Sequence, residues 1–500
     1  MAPPQRFAEE GGASAAPWLV CGLRPIVLLC VLIVSSMSFN LGYDIGVMSG
    51  AKRLIAADLG LTSWEVSMLV GSLNLISGLG GLWSGFLADS IGRRATAALS
   101  SAVCTAAVLL MAAAPSFGLL MAGRVLDGLG IGSAFQIAPL YIAEMAPRRL
   151  RGRLGALSDL FINAGILSGY LVGWVLSGVP RAGVAWRVMV GIGALPSALV
   201  LCSIPYLPES PRYLVASGRV AQADAVLSRA YDDEEAAATL AMLRDEVGGG
   251  RARGDTWRAL RSLCTESRGH RALVGVAMAL AVAQQITGVE AAVYYTPETL
   301  EAAGVRDDTT LHLATVGVGF LKTAVIGIVA PLVDRYGRVP LLLASNLGIA
   351  TAQALIGVSF AAGGVTWAAL VGQLLFMASF SLGAGPCTMM LVSELLPLSV
   401  RGVGLGVATL LNRLASGTVA TSFLSLNKAL TPAGTFFAFS AAALAAAACT
   451  AFVPETRGRA LEEIAHARRG SASLLRARTV PASPCSALAV RSASLADVAL

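Results

Sequence analysis

The sequence predicts an all-α membrane protein with twelve transmembrane helices in two six-helix, pseudo-symmetric halves. Three observations predict it. First, 55% of the 500 residues are hydrophobic and only 13% are charged, with a mean hydropathy of +0.70. A soluble protein carries about 25% charged residues, so this chain cannot clothe a water-facing surface of its size. Second, twelve apolar runs are long enough to cross a bilayer. Third, three short motifs return in the same order. Asp89-x-x-Gly92-Arg93 returns as Asp334-x-x-Gly337-Arg338, and Glu144-x-x-Pro147-x-x-x-Arg151-Gly152 as Glu394-x-x-Pro397-x-x-x-Arg401-Gly402. Pro208-Glu209-Ser210 returns as Pro454-Glu455-Thr456. The offsets are 245, 250 and 246 residues. Three matches at nearly one offset indicate a duplicated unit, the kind of internal repeat that builds secondary transporters.

In chain order, the apolar runs fall near 25–50, 64–88, 95–115, 118–143, 155–178 and 184–205, then near 271–297, 309–333, 339–361, 366–396, 400–426 and 433–453. A span needs about 20 apolar residues, and two sets of six agree with the motif offsets. The domain division that follows is an N-terminal tail (1–24), a six-helix bundle (25–205), a linker (206–270), a second bundle (271–453) and a C-terminal tail (454–500), disordered from about 467.

An even number of spans puts both termini on one side. The loops and tails on that side carry 28 Lys and Arg residues, against six (Lys52, Arg53, Arg181, Arg187, Arg306, Lys428) opposite. By the positive-inside rule, both termini and the linker are expected in the cytoplasm. The linker combines Ala-rich, charged stretches with Gly248-Gly249-Gly250, so short amphipathic helices on the membrane face are expected there. The first 17 residues are polar and contain Glu9 and Glu10, which is unlike a cleavable signal peptide. The eight cysteines lack metal-like or paired spacing and sit mostly in apolar runs, where they read as small buried residues. Three scattered histidines form no metal cluster. There is no Walker-type loop and no nucleophile–base constellation, so neither nucleotide, cofactor nor enzyme chemistry is expected. The net charge of +7 follows membrane topology rather than nucleic-acid binding.

Six ionisable groups stand out inside the spans: Asp44, Arg124, Asp159, Glu290, Lys322 and Arg413. Such groups cost several kcal/mol unless paired or wet, so each is a functional candidate. Three acids and three bases suggest pairing around one aqueous cavity. Asp44 lies in Gly42-Tyr43-Asp44-Ile45-Gly46, with Asn40 a turn earlier on the same face. Arg124 lies early in the fourth span. A carboxylate beside an arginine stays ionised and takes a proton when the two separate in a low dielectric, which makes Asp44 a proton carrier with Arg124 as partner. The alternative is a structural ion pair. The seventh span holds Gln284-Gln285-Ile286-Thr287-Gly288-Val289-Glu290, then Tyr294-Tyr295-Thr296-Pro297. Gly288 and Pro297 should let this helix bend or unwind. Adjacent amides both donate and accept, which suits a ligand rich in hydroxyls, or they glue helices together.

These motifs, with Tyr141-Ile142-Ala143-Glu144, Pro208-Glu209-Ser210-Pro211-Arg212 and Pro454-Glu455-Thr456-Arg457-Gly458, resemble the sugar porters of the major facilitator superfamily over about 25–465. Phe161-Ile162-Asn163, Val318-Gly319-Phe320-Leu321-Lys322-Thr323, Leu411-Asn412-Arg413-Leu414 and Thr421-Ser422-Phe423-Leu424-Ser425-Leu426 make the chain most similar to the plant polyol/monosaccharide branch, whose members are proton symporters. The resemblance implies the major facilitator fold. It implies that Asp44 carries the proton with Arg124 as partner, that Gln284 and Gln285 bind sugar hydroxyls, and that Asn412 lines the same cavity. Asp159, Glu290, Lys322 and Met389 fall at cavity positions. Asp159 stands where many members have glutamine, Glu290 and Lys322 where many have asparagine, and Met389 and Arg413 where tryptophan is common. That weakens an aromatic floor, adds charge and fits a flexible, hydroxyl-rich ligand. Tyr294 and Tyr295 are expected to help close the outer gate. Asp89, Arg93, Arg94, Glu144, Arg151, Glu209, Arg212, Asp334, Arg338, Glu394, Arg401, Glu455 and Arg457 match cytoplasmic charge networks.

The function expected is proton-coupled symport of a polyol or monosaccharide by alternating access, by a monomer in the lipid bilayer, at the plasma membrane rather than the vacuole. Glu290 and Lys322 are expected to form a buried ion pair. The rivals are a facilitative uniporter, which would ignore pH, and a polyol sensor that signals without turnover.

Overall fold

The protein is described by a computed structural model covering residues 24–147, 150–248, 261, 268–396, 401–453 and 455. Eleven helical stretches are long and apolar enough to cross a membrane. The last of them, Gly402–Ala451, is two helices joined at Thr431, whose backbone is non-helical (φ 65°, ψ 160°) ahead of Pro432. Proline cannot continue the helix behind it without losing a hydrogen bond, so twelve crossings result. The first six are Pro25–Leu59, Ser63–Ile91, Arg93–Ala112, Phe117–Met145, Arg151–Ser177 and Ala182–Tyr206. Among the described residues between the two sets, short helices span Pro211–Ala216, Val220–Ala230 and Asp233–Gly248. The second set begins at Arg268 and continues through Asp308–Tyr336, Arg338–Ala361 and Thr366–Leu395 to the two helices that meet at Thr431.

Glycines set how closely the spans pack. A methyl group on Gly42 would lie 1.8 Å from the Ile162 carbonyl oxygen, and one on Gly46 2.2 Å from that of Ile166. Only glycine lets the first and fifth spans cross at that distance, as small residues do in membrane bundles. The halves meet along two other seams. Gly71 of the second span faces Thr421 and Gly417 of the eleventh, and Gly319 of the eighth packs on the Tyr170 ring of the fifth.

The sequence repeat is also a repeat of backbone geometry. Gly92 (φ 98°, ψ 165°) and Gly337 (φ 93°, ψ 167°) adopt one conformation, at the turns before the third and ninth spans. It lies in the region that L side chains rarely enter. At each turn a carboxylate from the last motif occupies the space a methyl would need: Glu209 Oε2 is 2.3 Å from a Cβ built on Gly92, and Glu455 Oε2 2.8 Å from one on Gly337.

Among the described residues the sixth span is interrupted at Gly193, between Ala182–Ile192 and Ala194–Ser203, and two more depart further from simple rods. The seventh breaks at Gly288 (φ 88°) and again at Tyr295, giving Arg268–Ile286, Val289–Tyr294 and Thr296–Ala302. Pro297 opens the third piece instead of bending the helix itself. The tenth widens to a π-helical turn at Phe380–Ala384. The first helix also runs to Leu59 with an αL Gly60 as its C-cap, nine residues beyond the apolar run read from the sequence.

Candidate functional site

Asp44 and Arg124 meet in the first half. The Arg124 Nη1 donates to both Asp44 carboxylate oxygens at 2.7 Å, and Nε donates to the Leu69 carbonyl at 3.0 Å. Arg124 is wholly buried, whereas Asp44 keeps 7% exposure. Removing one member of such a pair strands a buried charge, at a cost of about 3–5 kcal/mol. The pair can therefore be parted only if a proton or another carboxylate compensates.

The second half holds an amide cluster. Asn412 Nδ2 donates to Gln284 Oε1 at 2.8 Å and to the Ala281 carbonyl at 2.7 Å. Gln285 Nε2 donates to Asn412 Oδ1 at 3.1 Å, and Gln284 Nε2 to the Ala384 carbonyl at 2.5 Å. That carbonyl ends the π-helical turn and also accepts from the Thr388 hydroxyl at 2.7 Å. Gln285 Oε1 has no partner among the described residues and remains available as an acceptor. The breaks in the seventh span free further backbone groups, and buried glutamines from neighbouring spans bond to them. Gln353 Nε2 donates to the Thr287 carbonyl at 3.2 Å, and Gln373 Nε2 to that of Ala292 at 2.8 Å. Irregular backbone at membrane depth is tolerated where it is enclosed in this way.

The expected Glu290–Lys322 ion pair is not formed. Both side chains are buried and neither bonds to the other; the Lys322 ammonium lies over the Phe380 ring instead, 5.7 Å from its centroid. They sense each other only through space. The ring face offers the ammonium a partner at the π turn, so it does not extend to the acid. Asp159 is exposed. Met389 is half-buried against the main core. Arg413 turns back on its neighbour, with Nε and Nη2 donating to Asn412 Oδ1 at 3.2 and 3.0 Å, and its guanidinium lies over Phe135 of the first half at 5.2 Å.

At the end of the bundle away from the Arg-rich loops, the two halves are clamped together. Lys52, in the first span, is buried and pairs with Glu298 of the seventh at 2.9 Å. Its ammonium also donates to the Tyr294 carbonyl and lies 4.1 Å from the centroid of the Tyr295 ring. Arg53 adds Glu298 at 3.1 Å and Glu301 at 2.5 Å. Tyr170 donates to the Val293 carbonyl at 2.8 Å, and Tyr295 to that of Ala420 at 3.2 Å. Tyr294 and Tyr295 thus sit in the closed seam, and their backbone and ring are what Lys52 grips.

The Arg-rich end carries the repeated networks. Arg93 makes a two-pronged contact with Glu144, both at 3.0 Å, and bonds Asp89 at 3.1 Å. Glu209 accepts from the backbone N–H groups of Arg93 at 2.8 Å and Arg94 at 3.2 Å, capping the third helix. In the second half Arg338 pairs with Glu394 at 3.3 Å, and Glu455 accepts from the N–H groups of Arg338 and Val339 at 3.1 and 3.0 Å. Carboxylates at helix N-termini are favoured by the helix dipole as well as by the hydrogen bonds. Tyr141 donates to the Pro208 carbonyl at 2.7 Å, tying two motifs together. Arg212 is exposed. Arg457 and the side chains of Arg151, Asp334 and Arg401 lie outside the described residues.

Sequence reasoning missed Lys52, Glu298, Gln353, Gln373 and Asp127. Lys52 and Glu298 fell in presumed loop and span end; the αL-type Gly60 was the available sign that the first helix continues. Asp127 lies in the fourth apolar run by the same criterion that selected Arg124, and was passed over.

The sequence profile described as sugar (and other) transporter matches residues 30–467. A probable polyol transporter 4 of Arabidopsis thaliana is 40% identical over 448 residues, covering 88% of this chain and 85% of that protein. Polyol transporter 5 of the same plant is 38% identical, covering 87% and 85%. Among solved structures, the proton:xylose symporter XylE bound to 6-bromo-6-deoxy-D-glucose aligns with a TM-score of 0.76 at 24% identity, over 89% of this chain and 99% of that one. At that identity the likeness speaks for the fold.

Proposed function

Because the chain belongs to the sugar transporter family of the major facilitator superfamily, a family of membrane transporters and not enzymes, we propose that it is a proton-coupled symporter of polyols or monosaccharides working by alternating access. The observation that carries this reading is a buried Asp44–Arg124 pair in one half and a buried amide cluster in the other. Its relatives' names supply the substrate class: polyol transporters in a plant, and a xylose symporter of the same fold.

The chemistry runs as follows. Outside, Asp44 takes a proton and its hold on Arg124 weakens. Gln284, Gln285 and Asn412 exchange some of their mutual hydrogen bonds for bonds to substrate hydroxyls, with Glu290 and Lys322 as further charged partners across the cavity. Closure at the Lys52–Glu298 seam seals the outer side. The networks around Arg93 and Arg338 then release, and proton and substrate leave inward. Each ligand favours the same closed arrangement, and that reciprocity couples them. The membrane potential adds about 2.3 kcal/mol per charge per 100 mV, which lets a proton symporter accumulate substrate. In this reading the bundles 25–205 and 271–453 rock about the site, the linker 206–270 and both termini are cytoplasmic, and a monomer in the plasma membrane suffices.

The test is uptake into proteoliposomes under an imposed proton gradient, with a panel of linear polyols, inositol and hexoses. Substrate should drive proton entry. Asp44→Asn should lose accumulation against a gradient while keeping substrate exchange. A mutant that still concentrates substrate removes Asp44 as proton carrier. Wild-type uptake indifferent to pH and uncouplers makes the protein a uniporter, and binding without any flux makes it a sensor.

A further inference from the structure

Asp127 has no part in the mechanism above, yet it sits beside its central pair. It follows Arg124 by three residues in the fourth span, on the same helix face about one turn away. It is 0% exposed, and neither carboxylate oxygen has a hydrogen-bond partner among the described residues. Arg124 has a matching loose end. Its Nη1 and Nε are taken by Asp44 and Leu69, while Nη2 has no partner among the described residues. The charged and titratable groups that reach Asp127 are Asp44 from the first span, Arg124 from its own span and the Cys104 thiol from the third.

Two carboxyls and one guanidinium therefore share one enclosed site. An ionised carboxylate buried without a partner costs several kcal/mol, and one arginine compensates only one of the two. Such a pair holds a proton jointly. A lone aspartate locked onto a buried arginine would instead resist protonation, its proton affinity falling by about one to three pH units. A second carboxylate competing for the same arginine removes that obstacle.

We propose that Asp127 shares Arg124 with Asp44, so that the transported proton is held by both carboxyls and passes between them as the guanidinium turns from one to the other. In one arrangement Asp127 carries the proton as O–H and Arg124 binds ionised Asp44, through the contact seen here. In the other, the O–H is on Asp44, its bonds from Nη1 are given up, and Nη2 donates to ionised Asp127. One proton and one guanidinium balance two carboxyl groups in both, so the net charge stays zero. Asp44, the member with residual exposure, is where protons enter and leave.

The proposal rests on the proton-coupled reading, and an infrared measurement tests it without transport. Purified full-length protein at neutral pH should show the carbonyl band of a protonated carboxylic acid that Asp127→Asn removes. Asp44→Asn should remove it too, although Asp127 is intact, because ionised Asp127 then takes the arginine. A band that survives in Asp44→Asn would show an isolated neutral acid and overturn the proposal. So would a wild-type band unchanged by Asp127→Asn. In proteoliposomes, Asp127→Asn should also need about tenfold more protons for half-maximal uptake, and an unshifted midpoint would count equally against sharing. Should the wild type show no proton coupling at all, the symport reading falls while the infrared result stands by itself.

Discussion

Glu298→Gln tests the closed seam most directly. Glu298 is the acid that pairs with Lys52 across the two halves, at 2.9 Å, and the substitution removes its charge while keeping its shape. Stranding a fully buried charge costs about 3–5 kcal/mol. Here the Glu298 side chain is 26% exposed and Lys52 keeps the Tyr294 carbonyl and the Tyr295 ring, so the lower part of the scale is discounted further, to about 2 kcal/mol. Lys52 and Glu298 sit on opposite halves, so this loss falls on the closed arrangement alone. At about 1.4 kcal/mol per tenfold, the ratio of molecules open to molecules closed at this end should rise about thirtyfold. Spin labels at Ala57→Cys and Ala302→Cys, both exposed positions beside the seam, would read the distance between halves by pulsed EPR in a background without native cysteines. A longer-distance population should appear in Glu298→Gln and recede in Lys52→Met/Glu298→Gln, where no charge is stranded. A distance distribution unchanged from the parent protein would refute the view that this ion pair holds the end shut.

Two further outcomes follow from the same geometry. Gly92→Ala and Gly337→Ala each force a side chain into the left-handed region and against a capping carboxylate; each should cost about 1–3 kcal/mol, seen as a lower unfolding temperature in detergent, with Gly155→Ala, where no atom lies within 4 Å, as an inert comparison. Since Glu290 and Lys322 do not touch, Glu290→Gln and Lys322→Met should have effects on substrate affinity that add to within about 0.5 kcal/mol in a double-mutant cycle, and a larger coupling term would mean that they pair during transport.

The fold was legible because its signals are local. Apolar length marks a span, a glycine–arginine turn marks the next one, and duplication of the motifs announces two halves. Asp44, Arg124, Gln284, Gln285 and Asn412 could be picked out for a related reason: a polar group in a lipid-facing run is expensive wherever it points. Which of them touch was not legible. Arg124 bonds Asp44 across 80 residues of chain and Gln285 bonds Asn412 across 127, and those matches depend on helix rotation, which apolar length does not encode. The expected Glu290–Lys322 contact failed at this step, because opposite sign on neighbouring spans says nothing about the Phe380 ring that lies between the choices open to the ammonium.

The amino-acid sequence by itself determined that this chain crosses the membrane repeatedly, that its second half copies its first, and that charges and amides lie at membrane depth. Hydropathy and motif spacing are properties of the chain alone, and they suffice for that. Tertiary structure alone decided that Lys52 closes one end against Glu298, that Gln353 and Gln373 bond to the carbonyls of a broken helix, and that Asp127 lies without a hydrogen-bond partner among the described residues beside a half-used arginine. Each of these is a meeting of side chains from helices far apart in the chain, and only the crossing angles and end points of those helices bring them within bonding distance.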